Sequence, residues 1–196
     1  TTDAQGQKTE VWFDDQKRVI KQVDANGNET LTSYDEDGNV SGITQADGTL
    51  IAYEYDGNGN KTKEISPDGS FVSFVYNEDN LPVEFTDKAG NVTKYEYDPN
   101  GNQSKQINPD GSVVQFQYNA YGQKILEIDA VGNKTEYKYE GANLVETIDA
   151  KGGVTKLAYD PAGHLTSKID ASGMVTKYEY DAAGNNTKIV FADGTF

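Results

Sequence analysis

A glycine recurs every 21 residues along nearly the whole chain, and this period constrains the fold more than any other feature of the sequence. The one shorter step, of 20 residues, lies between Gly132 and Gly152 and coincides with "YEGANL", residues 139–144, where a turn lacks one residue. A fixed period of this length is the signature of a repeat architecture. The glycine series consists of Gly6, Gly27, Gly48, Gly69, Gly90, Gly111, Gly132, Gly152, Gly173 and Gly194.

Side chains alternate within each repeat. If each repeat is counted from three residues before its glycine, taken as position zero, position six is β-branched in all nine complete repeats. Position eight is mostly aromatic or aliphatic, whereas positions seven and nine are mostly polar or charged. Alternation with period two predicts a β-strand that places positions six, eight and ten on one face. Position ten is aromatic throughout: Phe13, Tyr34, Tyr55, Tyr76, Tyr97, Tyr118, Tyr139, Tyr159 and Tyr180.

Turn residues bound these strands. Position eleven is Asp, Asn or Glu, and a glycine mostly follows three residues later, as in "DPNG" and "NPDG". Such sequences favour a type I turn that ends in a left-handed residue. A second apolar-ended run follows, as in "QSKQI", before the next turn. Each repeat therefore reads as two short antiparallel strands and two tight turns, without room for a helix.

The repeat predicts an all-β fold, a repetitive antiparallel β-hairpin meander of about nine 21-residue repeats. Because strands twist, so wide a sheet is expected to curl into a spiral or a shell segment. Residues 1–196 are predicted to be a single repeat array without an internal boundary. The array begins and ends in the same turn motif, without an atypical capping repeat, which indicates a piece excised from a longer repeat protein.

Charge excludes two classes of partner. The chain carries 17 Lys and Arg against 32 Asp and Glu, a formal net charge of -15, which repels nucleic acid and anionic membrane surfaces. No apolar run is long enough to span a bilayer. Cysteine is absent, so the sequence offers neither a disulfide framework nor a thiolate metal site.

The segments "YEYDPNGN", "YEYDGNGN" and "YEYDAAGN" resemble the YD repeat of the rearrangement hot spot (Rhs) family over essentially the whole chain. That family includes bacterial polymorphic toxins, wall-associated proteins, insecticidal toxin complexes and teneurins. The resemblance implies a β-sheet ribbon that spirals into a hollow shell, which encloses a toxin domain in the bacterial members. Many bacterial members also end in a self-cleaving Asp-Pro-x-Gly-Leu motif. The Asp-Pro turns at Asp98 and Asp160 lack its leucine, so the protease residues are not carried over.

The tyrosines of position ten have two interpretations. Aromatic and β-branched cross-strand pairs stabilise sheets, which makes Tyr34, Tyr55, Tyr76, Tyr97, Tyr118, Tyr139, Tyr159 and Tyr180 structural positions that pack as a core-like face. The alternative is an adhesion module in which the Tyr-lined face binds carbohydrate or protein. Since the stripe occurs in every repeat, the structural interpretation is favoured.

The acidic turn positions also have two interpretations. Asp and Asn brace tight turns generally, which assigns Asp35, Asp56, Asp98, Asp160 and Asp181 a structural role. The alternative is Ca²⁺ held between neighbouring turns. "DEDGN", residues 35–39, comes nearest to a calcium loop but departs from the EF-hand spacing. No cofactor is predicted beyond this weak calcium signal.

No residue set predicts catalysis. His164 is the only histidine and stands where other repeats have Asn, which reads as a tolerated substitution. Trp12 falls on the polar face, either as a cover for a lost junction or as a singly exposed aromatic. The sequence therefore predicts a non-enzymatic scaffold, part of a shell or spacer in a secreted or cell-surface protein. Its partners would be other repeats or domains of the parent protein, or a glycan.

Overall fold

A computed structural model describes residues 8–196, so the first turn, at residues 3–6, lies outside the described part of the chain. Contacts divide the chain into two compact units, residues 1–95 and 96–196, and the division falls inside one strand. Every regular element among the described residues is a β-strand, and no helix that could cross a membrane is found there. The prediction of a helix-free hairpin repeat is confirmed, whereas the single-array organisation of residues 1–196 stays a prediction.

Unit 1 is an antiparallel meander in which each strand pairs with the strand that follows it. Its strands are β1 (Glu10–Phe13), β2 (Val19–Val23), β3 (Glu29–Tyr34), β4 (Val40–Thr44), β5 (Leu50–Tyr55), β6 (Lys61–Ile65), β7 (Phe71–Tyr76), β8 (Pro82–Thr86) and β9 (Val92–Tyr97), the last of which crosses the division.

Unit 2 repeats the same pairing. Its strands are β10 (Gln103–Ile107), β11 (Val113–Tyr118), β12 (Lys124–Ile128), β13 (Lys134–Glu140), β14 (Asn143–Ile148), β15 (Val154–Tyr159), β16 (Leu165–Ile169), β17 (Val175–Tyr180) and β18 (Asn186–Val190).

Glycine closes nearly every turn because the chain needs a left-handed residue there. In the turn after β9, the Gly101 amide donates to the Asp98 carbonyl at 3.0 Å, and the Asp98 amide donates to the Asn102 carbonyl at 2.8 Å. Gly101 has φ +82°. A type I turn that ends in such a residue forms a one-residue bulge and joins two antiparallel strands. Lys17 and Asn80 take the same backbone conformation without being glycine, at φ 64° and 60°.

The short repeat uses a different turn. Glu140 pairs with Asn143, so only Gly141 and Ala142 lie in the loop between β13 and β14. Gly141 has φ +58°, and a glycine in the first central place is what a two-residue type II′ turn requires. The residue missing from the 21-residue period is therefore absorbed by a tighter turn, and the strand register continues unchanged.

A β-bulge recurs in the hairpins, at the end of the strand pairing that lies next to the turn. Between β5 and β6, Glu54 pairs with Lys63 but Tyr55 pairs with Lys61, so Lys61 and Thr62 together oppose Tyr55. The register shifts at the same place, between positions nine and ten, in seven other described hairpins. An extra residue reverses the side-chain alternation of its strand. Side chains on either side of the bulge are therefore placed on faces that simple alternation does not predict.

The expected core-like face is wrong in one respect, because none of the described hydrophobic residues is buried. In β9, Thr93, Tyr95 and Tyr97 are half-buried while Lys94 and Glu96 are exposed, so the predicted alternation of faces is present. The sheet of each unit is a single layer in which a side chain is covered only by its neighbours on the same face. Full burial of the aromatic stripe would need a second layer, which the repeat alone does not encode.

Candidate functional site: the aromatic face and the turns

The aromatic face is built from rows that cross neighbouring strands. Phe74 of β7 pairs with Phe85 of β8, and their ring centroids lie 5.2 Å apart at a tilt of 40°. Phe85 also pairs with Thr93 of β9. The row therefore runs from Phe74, at position eight of one repeat, across Phe85 in the second strand of that repeat to Thr93, at position six of the next repeat. Such cross-strand pairs each stabilise a sheet by about 0.2–1 kcal/mol. The face therefore contributes to stability by many small contacts.

All eight position-ten tyrosines are half-buried. Hydroxyl groups of this row donate to a backbone carbonyl 15 residues earlier, as Tyr34 does to Val19 at 2.8 Å, Tyr76 to Lys61 at 3.0 Å and Tyr180 to Leu165 at 3.0 Å. Each bond ties a repeat to the hairpin before it. Burial raises the pKa of the Tyr55 and Tyr118 phenols.

A lysine lies among aromatic rings at one place in unit 2. The Lys124 ammonium is 2.6 Å from Glu127 Oε2, and it lies 5.0 Å from the Tyr137 ring centroid and 5.5 Å from that of Phe116. The side-chain hydrogen bond with Glu127 raises the pKa of Lys124. Cation–π contacts occupy the ring faces on which a sugar would stack. The structure therefore disfavours carbohydrate stacking on the ring faces of Tyr137 and Phe116 that the Lys124 ammonium covers.

Unit 1 contains the same arrangement three repeats earlier in the sequence. Lys61 is 2.6 Å from Glu64 Oε2 and 5.3 Å from the Tyr53 ring centroid. Sequence reasoning missed both lysines because strict alternation places residues three apart on opposite faces. The recurrent bulge places each lysine and its glutamate on one face. The sequence signal that could have revealed these ion pairs is the repeated occurrence of Lys at position sixteen with Glu at position nineteen.

The opposite face of each sheet carries charged pairs across strands. Lys105 is 2.9 Å from Glu96 and Lys138 is 2.6 Å from Glu146, and both pairs join neighbouring strands. The ammonium group of Lys21 lies 4.9 Å from the ring centroid of Trp12, which is 40% exposed on this face. Solvent-exposed ion pairs contribute little to stability, so this face mainly supplies solubility and strand register.

Each predicted acidic site residue braces its own turn. Asp98 Oδ1 accepts from the backbone amides of Asn100 and Asn102, both at 2.9 Å, and Asp98 Oδ2 accepts from Asn102 Nδ2 at 3.0 Å. The Asn102 side-chain bond is the largest cause that lowers the pKa of Asp98. Equivalent side-chain bonds, from Asn or His four residues later, lower the pKa of Asp35, Asp56, Asp160 and Asp181.

The calcium alternative finds no ready-made cluster in the described part of the chain. Groups of three or more His, Asp or Glu side chains that could hold a metal ion are absent from residues 8–196. The carboxylates named above already accept two or three hydrogen bonds within their own turns. Calcium binding between turns stays a prediction, for which these bonds would have to be exchanged.

In several repeats a second contact joins the turn that follows an odd-numbered strand to the next repeat, through the side chain at position fifteen. The Asn60 side chain donates to Asn80 Oδ1 at 2.8 Å, and Gln123 Nε2 donates to the Gly141 carbonyl at 2.7 Å. The Arg18 guanidinium lies 4.4 Å from the ring centroid of Tyr34. We call this contact of a position-fifteen side chain with the next repeat the turn clasp. It was not predicted from the sequence, because its partners lie far apart along the chain.

His164 forms the turn clasp of its repeat. Its Nδ1 is 2.9 Å from Asp160 Oδ2, where other repeats place an Asn amide, and its ring stacks on Tyr180 with centroids 4.8 Å apart. A Cβ at Gly184 would lie 2.9 Å from His164 Nε2. The histidine therefore replaces the asparagine in its hydrogen bond and adds an aromatic contact.

The turns form two rows, one of turns between repeats and one of turns within repeats. The rows differ in how closely neighbouring side chains approach the turn glycines. The predicted site glycines all lie in the turns between repeats, have positive φ and would have nothing within 4 Å of an added Cβ: Gly27, Gly48, Gly69, Gly90, Gly111, Gly132, Gly152 and Gly173. Gly38, Gly59, Gly122 and Gly184 lie in the other row, where Arg18, Asn39, Asn102 and His164 of the preceding repeats approach such a Cβ within 2.9–3.7 Å. Glycine is thus required for φ in both rows. In the second row Gly184 is also required for space, because an added Cβ there would come closer than 3.0 Å to the His164 ring.

Comparison with known proteins gives a matching family and several solved structures of similar fold. The model of the RHS Repeat family matches residues 13–50, 34–70, 76–113 and 159–195. No curated protein matches the sequence.

Three solved structures illustrate the similarity of fold. TcdB2-TccC3 without its hypervariable C-terminal region matches with a TM-score of 0.67 and 16% identity, over 93% of this chain and 11% of that chain. TcdB2-TccC3-Cdc42 matches with a TM-score of 0.59 and 18% identity, over 93% and 13%. The Photorhabdus luminescens Tc holotoxin pore matches with a TM-score of 0.58 and 17% identity, over 93% and 13%. The chain thus spans between 11% and 13% of these chains, and at such identities the likeness concerns the fold.

Proposed function

The chain belongs to the RHS repeat family, and from that premise we propose that it is a non-enzymatic β-sheet scaffold, one stretch of a shell or spacer wall in a larger secreted or cell-surface protein. The similarity of fold to Tc toxin components supports a scaffold role within a larger assembly. The finer proposal is that the wall encloses a toxin domain of the same protein.

The observation that carries this proposal is that the contacts between repeats are alike. In unit 1 the pairing of Ile43 with Ile51 recurs as Glu64 with Val72 and as Phe85 with Thr93, each 21 residues apart along the chain. Stability in such arrays accumulates from neighbour to neighbour, through equivalent strand pairings. A wall needs this property, since any number of equivalent units can extend it.

The side chains that elsewhere perform acid–base chemistry are engaged in structure. His164 and Asp160 bond each other within a turn, and Asp98 and Asp56 accept from their own turn residues. This use of the titratable groups supports the non-enzymatic proposal. The partners we propose are neighbouring repeats and domains of the parent protein.

The experiment uses the full parent protein that contains this array. Electron microscopy of the purified protein is expected to show a hollow particle, and limited proteolysis is expected to leave an enclosed segment intact. Deletion of two whole repeats, residues 56–97, joins Tyr55 to Asp98 in phase and should shorten the wall and expose that segment to protease. An extended particle without an enclosed segment would contradict the shell. Specific retention of the isolated chain on a glycan array would instead support the adhesion alternative.

A further inference from the structure

Three Asn-Gly sequences lie at exposed turn tips: Asn26-Gly27, Asn58-Gly59 and Asn100-Gly101. An asparagine followed by glycine is the sequence most prone to deamidation, because glycine offers no side chain to hinder attack by its backbone nitrogen. We propose that these three asparagines are modification sites at which closed hairpins block deamidation, so that the reaction proceeds from opened hairpins and makes their opening permanent.

The reaction needs only water. The backbone nitrogen of the glycine loses its proton and forms a bond with the asparagine Cγ, while the Cγ–Nδ2 bond breaks and ammonia leaves with that proton. Water then opens the cyclic imide at either carbonyl, which yields aspartate or isoaspartate. No oxidant, reductant or enzyme is required, so the conformation of the turn decides the rate.

The closed turn holds the attacking nitrogen away from its target. The Gly101 amide donates to the Asp98 carbonyl at 3.0 Å, and the Asn100 amide donates to Asp98 Oδ1 at 2.9 Å. A hydrogen-bonded amide keeps its proton, and here it is directed at Asp98 rather than at the asparagine side chain. The Asn58 turn has the same two bonds, both at 3.0 Å.

The Asn26 turn also has both bonds, at 3.0 and 2.8 Å, so the local block is equal at the three sites. Their attachment to neighbouring repeats is unequal. The Asn26 turn lies in the row without turn clasps, and an open groove lined by Asp24 and Asn28 separates it from the next turn at residues 45–47.

The other two turns lie closer to neighbouring repeats. The Asn58 turn is clasped by the bond from Asn60 to Asn80 on one side, and on the other side Asn39 of the preceding repeat lies beside it, 3.7 Å from where a Cβ at Gly59 would stand. The Asn100 turn has a neighbour on one side, where Asn102 lies 3.5 Å from the place that a Cβ at Gly122 would take. Segments with fewer contacts open at lower free energy. The order of deamidation in the folded chain is therefore Asn26 first, Asn100 second and Asn58 last.

Deamidation would make the opening permanent. Isoaspartate adds a methylene group to the backbone, so the five-residue turn can no longer close both of its backbone hydrogen bonds. The new carboxylate also adds negative charge to a chain whose net charge is already -15. A hairpin that has opened once would then stay open and would weaken its pairing with the next repeat.

Peptide mapping by mass spectrometry tests the proposal on the intact chain, incubated at neutral pH either folded or in urea. Each site is expected to react at least about tenfold more slowly in the folded chain, since an opening free energy of about 1.4 kcal/mol already gives that ratio. Equal rates in the two conditions would overturn the block. A folded-state order in which Asn58 reacts first would overturn the role of the clasps.

A pair of variants separates the turn bonds from general destabilisation. Asp98→Ala removes the acceptor of the Asn100 amide, together with that of the Asn102 amide and side chain, and should speed deamidation at Asn100 at least about fivefold, the ratio for one lost hydrogen bond. Asp98→Asn keeps an acceptor, as Asn119 does for the amides of Tyr121 and Gln123, and should restore the slow rate. Asn58 in the same molecules is the internal control. An unchanged rate at Asn100 in Asp98→Ala, or an equal rise at Asn58, would overturn the assignment.

Discussion

The imidazole ring of His164 stacks on the phenol ring of Tyr180 in the next repeat, with their centroids 4.8 Å apart and their planes 22° apart. The same histidine bonds Asp160 within its own turn. One side chain thus closes a turn and attaches it to the following hairpin. Arg18 does the same in the first repeat, between Asp14 and Tyr34. The side chain at position fifteen thus adds a contact between successive repeats to the strand pairing that already joins them.

Replacing His164 tests the turn clasp. His164→Ala loses the stacking on Tyr180 and should lower the free energy of unfolding by about 1 kcal/mol, the usual contribution of an aromatic pair. His164→Asn restores the amide that other repeats use toward Asp160 and should lose less. Urea denaturation followed by circular dichroism measures both. Equal losses in the two variants would contradict a role for the hydrogen bond to Asp160.

Two glycines provide a matched comparison of φ and space. Gly173 and Gly184 have φ +86° and +82°, so alanine at either position costs about 1–2 kcal/mol in backbone strain. A Cβ at Gly184 also meets His164 Nε2 at 2.9 Å, whereas the space at Gly173 is open. Gly184→Ala should therefore destabilise the chain more than Gly173→Ala does. The excess should disappear when His164→Ala is combined with Gly184→Ala, and its persistence would contradict the contact.

The hydroxyl bonds of position ten can be tested by removing one oxygen. Tyr76→Phe loses the bond to the Lys61 carbonyl and should lower the free energy of unfolding by about 1 kcal/mol. Tyr121→Phe is the control, because Tyr121 is 88% exposed at a turn tip and its substitution should be neutral. Thermal and urea unfolding of the two variants decide the matter. Equal stability of Tyr76→Phe and the parent chain would show that the bond adds nothing.

Much of this architecture could be predicted from the 21-residue period, because strand spacing, turn residues and neighbour pairing are all local. The bulge opposite Tyr55 could not, since nothing in Lys61-Thr62 indicates an extra residue. The turn clasp joins residues such as His164 and Tyr180 that meet only when two hairpins share a register. The sequence predicts more burial of the aromatic stripe than the structure shows. A sequence period determines which face of the sheet a residue occupies, but it does not determine whether a second layer covers that face.

Half-burial sets the expected effect of removing a tyrosine ring. Tyr97→Ala should lower the free energy of unfolding by about 1–2 kcal/mol, less than the roughly 3 kcal/mol or more that a fully buried aromatic residue contributes. Urea denaturation of the variant measures the difference. A loss below about 0.5 kcal/mol, which is typical of surface substitutions, would show that the stripe is not structural and would favour the binding alternative.

Acid should weaken the turns through their aspartates. The Asn60 side-chain bond is the largest cause that lowers the pKa of Asp56, so the folded chain binds a proton at this carboxylate less readily than the unfolded chain does. The stabilisation is therefore complete above the unfolded pKa, about 3.9, and is lost as pH falls through the lower folded pKa.

The test compares the parent chain with Asp56→Asn, which keeps the shape of the side chain but cannot ionise. Protonation of the other acids relieves the net charge of -15 in both chains, so their difference in unfolding free energy isolates Asp56. Measured by urea denaturation at several pH values, this difference should stay constant near neutrality. Below about pH 4 the unfolding free energy of the parent chain should fall relative to that of Asp56→Asn. A difference that does not change with pH would show that the Asp56 carboxylate is not bonded more strongly in the folded turn.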